Sequence, residues 1–178
     1  MNKNLYSSII ILLLSAFSSD TYAQKVERER RITSEKFPTT SMNFLDSAFA
    51  ERTHQKLYIE TGNSGDTYEA KFRYELRKFS VKFYDNGQWL DSEKEISEDE
   101  LLPDVKNNIF ANLRSGFEYD EFKMIRIQEQ TSLAGLRYEI EIKGKTRGKT
   151  ELFEFLFDAD GKYIMHEVIL IESYSNEF

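Results

Sequence analysis

The chain has 178 residues, with 31 acidic against 24 basic side chains and a formal charge of −7. Such a balance, without a basic run to offer a phosphate backbone or an anionic bilayer, argues against nucleic acid and membrane surfaces as partners. The absence of cysteine excludes disulfides, thiolate metal sites and a thiol nucleophile.

Residues 1–23 read as a secretory signal peptide. Lys3 supplies a weak positive start, Ile9 to Leu14 an apolar centre, and Thr21-Tyr22-Ala23 small residues at the −3 and −1 positions, which predicts cleavage before Gln24. The apolar run falls short of the ~20 residues that cross a bilayer. No cysteine stands at the cleavage point to carry a lipid. The expectation is a periplasmic or secreted chain with no membrane span after cleavage. Residues 24–35, dominated by the charges of Lys25 to Arg31, read as a tether.

Two prolines each precede a run with helical period. After Pro38, Met42, Leu45 and Phe49 fall at i, i+3 and i+7; after Pro103, Val105, Ile109 and Leu113 fall at i, i+4 and i+8. Ser97-Glu98-Asp99-Glu100 has the spacing of a capping box. Short strands are expected at Lys56–Glu60 and Phe122–Gln130. In Tyr68–Leu76 the alternation is unbroken, with Tyr68, Ala70, Phe72, Tyr74 and Leu76 on one side and Glu69, Lys71, Arg73 and Glu75 on the other. That is a strand with one buried and one wet face. Tyr138, Ile140 and Ile142 repeat it. Lys162–Glu172 is almost continuously apolar and reads as a central strand or one covered on both faces.

Two stretches match each other. Phe79, Val81, Phe83, Gly87 and Trp89 correspond to Phe153, Phe155, Phe157, Gly161 and Tyr163, each 74 positions on. The reading is an α+β fold: two tandem helix-plus-antiparallel-strand units, at 36–97 and 98–178, forming one compact domain with the helices on one face of a curved antiparallel sheet.

The motifs Tyr68-Glu69-Ala70-Lys71-Phe72, Val81 to Trp89, Leu102-Pro103, and Tyr138-Glu139-Ile140 with Phe157 to Lys162 resemble the PepSY-like, β-lactamase-inhibitor-like (BLIP-like) family of exported bacterial proteins. The likeness covers about residues 36–172. It implies helices on the convex side, a sheet face open to partners, and non-catalytic protein binding that extends to enzyme inhibition.

Candidate chemistry is thin. Gly144 to Thr150 ends like a phosphate loop, but its glycines are one residue too close and a strand follows where a helix is needed. Asp158-Ala159-Asp160-Gly161 lacks the later acidic ligands of a calcium loop and reads as a hairpin turn, as does Asn86-Gly87. His54 and His166 lack metal-ligand spacing. Glu93, Glu95, Glu98, Asp99 and Glu100 read as a solvated loop and helix start. Trp89 reads as a core plug more readily than as an exposed anchor.

No enzyme, cofactor or metal is expected. The leading reading is a binding module for an unidentified protein partner, using Lys71, Arg73, Glu75, Lys82, Tyr84, Leu152, Glu154 and Leu156 on the open sheet face. The alternative is a carrier of a small ligand or peptide in a pocket between sheet and helices.

Overall fold

The computed structural model describes residues 23–25, 28–62, 65–115, 117, 119, 121–146 and 149–169. The expected signal peptide lies outside these except for Ala23. Ten strands dominate: β1 (Ala23–Lys25), β2 (Arg28–Ile32), β3 (Thr53–Gly62), β4 (Gly65–Tyr74), β5 (Arg77–Tyr84), β6 (Trp89–Ile96), β7 (Glu121–Ser132), β8 (Gly135–Thr146), β9 (Lys149–Asp158) and β10 (Tyr163–Ile169). Two short helices, α1 (Thr39–Ala48) and α2 (Pro103–Ser115), follow the two prolines' positions. Residues 28–32 of the expected tether are strand β2, paired with β3.

All ten strands belong to one sheet in the order β1-β10-β9-β8-β7-β6-β5-β4-β3-β2, antiparallel except for the parallel pair β1–β10. This corrects the α+β reading of two tandem helix-plus-strand units. β6 and β7 are hydrogen-bonded from Asp91↔Ser132 to Ile96↔Ile127, so the sheet runs unbroken through the place where two units would have met. The helices, of 10 and 13 residues, are minor additions to an antiparallel sheet. The sequence hides this because β6 (WLDSEKEI) is polar on both faces and resembles a loop, while backbone hydrogen bonding does not depend on the side chains.

Both helices cover the same face. Cross-strand pairing aligns Phe79, Lys94, Glu129, Tyr138 and Phe157 in one row across β5 to β9. Towards β3, that face packs Leu57, Ala70, Phe72, Val81 and Phe83 with Phe37 and Leu45. Towards β9, it packs Ile127, Ile140, Ile142, Phe153 and Phe155 with Val105, Ile109 and Leu113. Trp89 joins the first cluster, stacked on Phe44 at 6.3 Å with its Nε1 donating to Ser92 Oγ at 2.8 Å. Lys94 and Glu129, paired at 2.8 Å, stand between the two clusters.

The sheet curls strongly. β1 and β2 lie on opposite edges, yet only two residues separate them, and three peptide units reach ~11 Å. The edges therefore come close to each other at that point. Breaks in register in β3, β6, β7 and β10 add local bend and twist. β10 is not central: only the three residues of β1 lie beyond it.

Candidate functional groove

The face turned away from the helices is polar, and curling has buried much of it. Glu69, Gln128, Ser80, Glu93, Glu60 and Glu139 are only 3 % to 8 % exposed. Polar groups removed from water in this way need partners, and most have them. Ser80 Oγ donates to Glu69, whose other oxygen meets Lys71 Nζ at 3.0 Å. Lys71 also reaches Glu29 at 2.9 Å. Glu60 accepts from Thr67 Oγ1 at 3.3 Å and lies 3.5 Å from Lys82 Nζ. Glu93 accepts from Gln128 Nε2 at 3.0 Å, and Arg126 donates to Glu141 while standing 3.9 Å from Glu139.

The field of these pairs decides ionisation. Burial pushes the Glu69 carboxyl up, but Lys71, Lys82 and the Ser80 hydroxyl outweigh burial and hold it below the usual carboxylate value. Burial lowers Lys71, and Glu69 and Glu29 more than offset it, so Lys71 stays charged to higher pH than usual.

Most of these residues, though not Glu29, Thr67 or Glu141, line a groove of about 450 Å³ that crosses from β3 to β9. Three of its polar atoms are buried without a hydrogen-bond partner among the described residues: Glu69 Oε2, which the Lys71 ammonium meets as an ion pair at 3.0 Å, the acceptor Gln128 Oε1 and the donor Arg126 Nε. Arg126 and Gln128 stand two residues apart on β7, on the same face. Three carboxylates, Glu139, Glu141 and Glu154, offer oxygens within 4.8 Å of one another, as do Glu29, Glu60 and Glu69. Arg126 or Lys71 already bonds to each group.

The groove brings together four of the residues singled out in the sequence: Lys71, Arg73, Lys82 and Glu154. Glu75 is not with them; it sits in the β4–β5 turn with a positive φ of 49°. Tyr84 is exposed at the end of β5, outside the groove lining. Leu152 and Leu156 share the polar face with Lys143 and Glu139 and pair with Ile169 and Met165, making an apolar margin beyond the groove. Sequence reasoning missed Glu60, Glu93, Gln128 and Glu139. Alternation assigns the face of Glu60 and Glu139, whereas Glu93 lies in the strand β6 that reads as a loop; the burial of all four arises from curling, which no local pattern encodes.

The other motifs have structural roles. Asp158 Oδ1 accepts from the backbone N–H groups of Asp160 and Lys162, and Gly161 closes the turn at φ 76°. A side chain at Gly161 would meet Val105 O at 2.6 Å. Gly144 to Thr146 continue β8. His166 stacks on Phe155 at 4.9 Å, whereas His54 is exposed on β3.

No family model matches the chain, and neither does any curated protein. Its fold does occur among solved structures. A DUF2874 family protein from Bacteroides ovatus superposes with a TM-score of 0.56 at 15 % identity, over 74 % of this chain and 87 % of that one. A BLIP-like protein from Bacteroides fragilis gives 0.55 at 15 % identity, over 79 % and 92 %. A Bacteroides eggerthii protein provisionally described as periplasmic gives 0.57 at 14 % identity, over 74 % and 88 %. The chain has a BLIP-like fold. The PepSY-like half of the sequence resemblance finds no counterpart here, and identities this low speak for the fold alone.

Proposed function

We propose that this chain is an exported, non-catalytic module that binds another protein in the groove of its curled sheet. The observation that carries the reading is the orphaned pair on β7. Gln128 Oε1 lacks a donor and Arg126 Nε lacks an acceptor among the described residues, both buried in a groove open to a partner. A polypeptide segment offers N–H and C=O groups side by side, and can satisfy both. An unsatisfied buried polar group costs about 1–3 kcal/mol, which binding would recover. The BLIP-like fold supports the same reading, and the sequence of residues 1–23 supports export.

The carrier alternative gains less. The face between sheet and helices is packed by Leu45, Ile109 and Leu113, all fully buried, while the groove is lined mainly by charged residues, alongside Tyr58, Phe72 and Phe79. Small-molecule pockets are mostly apolar.

The test is affinity capture from the periplasm of the native host with identification by mass spectrometry, followed by binding measurements on Arg73→Glu and on Arg73→Glu/Lys82→Glu. Binding of the captured partner should weaken by about tenfold or more. Full affinity in a variant with unchanged circular dichroism would remove the groove from consideration. Arg73→Glu alone carries the test if loss of the Lys82–Glu60 pair perturbs folding.

A further inference from the structure

The groove is charged unevenly from one side to the other. On the β3–β5 side, Lys56, Lys71, Arg73, Lys78 and Lys82 face two carboxylates, Glu60 and Glu69. On the β6–β9 side, Arg126 is the one cation among the lining residues, against Glu93, Glu95, Glu139 and Glu154. In a chain with a net charge of −7, one wall of this groove is thus locally basic and the other acidic.

The pairing register sharpens the contrast. Lys56 stands directly opposite Lys71, and Arg73 directly opposite Lys78; on the other wall Glu154 stands opposite both Glu141 and Glu167. Like charges placed directly across two strands destabilise a sheet. Lys71 and Lys78 have carboxylate partners, Glu69 and Glu95. Lys56 and Arg73 have none among the described residues.

The positive wall also continues past the groove. Lys56 also lines a second hollow of about 640 Å³ at the β2–β3 edge, whose lining adds Arg30, Arg31 and Lys36 and holds no carboxylate. On the opposite wall the orphaned acceptor, Gln128 Oε1, sits in a residue 5 % exposed, paired across the strands with Glu139. One wall holds cations without counter-charges, and the other a buried acceptor among carboxylates.

Resting on the protein-binding reading above, we infer that the partner segment is itself dipolar. Its acidic stretch lies along Lys56 and Arg73, and a lysine or arginine enters the opposite wall beside Gln128, Glu139 and Glu154. β4 and β7 are three strand spacings apart, ~14 Å along the sheet. About four or five extended residues bridge that span, so the acidic and basic residues of the partner are separated by roughly that much chain.

The probes are three synthetic peptides of equal length: two glutamates, a Gly/Ser spacer of about five residues and two lysines; the same with four glutamates; the same with four lysines. Each is titrated into isotope-labelled protein at low salt, and the groove amides are followed by NMR. The dipolar peptide should shift resonances on β3–β4 and β7–β8 together, and bind about tenfold more tightly than either single-sign peptide. In Lys56→Glu/Arg73→Glu the preference should switch to the four-lysine peptide, a change that loss of structure cannot mimic. Equal binding by a single-sign peptide, an unchanged preference in the double variant, or no groove shifts with any peptide would each overturn the inference. Sedimentation showing self-association lost in the double variant would assign the groove to a second copy instead. If peptides fail while Arg73→Glu/Lys82→Glu still abolishes capture of the native partner, the groove reading stands and the dipolar one falls.

Discussion

Glu69 is 3 % exposed, yet it stays ionised below the usual carboxylate range because Lys71, Lys82 and Ser80 surround it. Replacing it with glutamine keeps the volume and a hydrogen-bond partner for Ser80, but leaves Lys71 with Glu29 alone. Lys71 is partly solvated, so the cost is smaller than for a fully buried ion pair: Glu69→Gln should lose about 1–3 kcal/mol in urea unfolding at pH 7. The pH dependence has a definite sign. A carboxyl whose folded pKa lies below its unfolded value of about 4.3 contributes its stability above that value and loses it as pH falls through the folded value. Wild type and Glu69→Gln should therefore converge in stability at acid pH and separate as pH rises to neutrality. A gap independent of pH would mean that lost packing, not charge, explains the variant.

Between β4 and β5 the chain turns on Glu75 and Leu76, with φ values of 49° and 66°. Two successive positive φ values define the mirror-image hairpin turn that Asn-Gly fits best, and a leucine held there costs about 1–2 kcal/mol. Leu76 is 97 % exposed, so burial recovers nothing. Glu75→Asn/Leu76→Gly should raise the urea midpoint, gaining about 1 kcal/mol after the added freedom of glycine in the unfolded chain is counted. The slope should not change. A lower midpoint would show that the native pair makes contacts worth more than the strain.

Other elements show what a sequence can and cannot disclose. β4 was legible because Tyr68, Ala70 and Phe72 alternate with Glu69, Lys71 and Arg73, and a period of two is a local property. The capping box at Ser97 and Glu100 was legible too, although it closes a single 3-10 turn at Glu98–Glu100 before α2 begins. β6 was not, because Ser92 and Lys94 on one face and Glu93 and Glu95 on the other give no apolar period. β10 was misplaced for the opposite reason. Val168 packs into the core while Met165 and Ile169 meet Leu156 and Leu152 on the groove side, so a strand next to the edge is apolar on both faces. Four groove residues could be named from alternation, whereas the burial of Glu93 and Gln128 needs the curl of the whole sheet.

At the scale of the molecule, two apolar clusters share one sheet but are kept apart by the Lys94–Glu129 pair. If side-chain packing alone set cooperativity, each cluster would unfold by itself. The ladder between β6 and β7 opposes this. Unfolding either half would strip one side of six registered residue pairs and expose the strand edge of the other half. The two halves should therefore unfold together. Leu45→Ala in one cluster and Leu113→Ala in the other, both at fully buried positions, should each cost about 2–5 kcal/mol and move the same single transition. Hydrogen exchange provides the sharper measurement. In either variant, protection of the most protected amides in both clusters should fall by the same free energy, since they open only in global unfolding. A Leu113→Ala variant that lowers protection in β8 and β9 while leaving β4 and β5 at the wild-type level would show that the shared ladder joins the halves in space without joining them in energy.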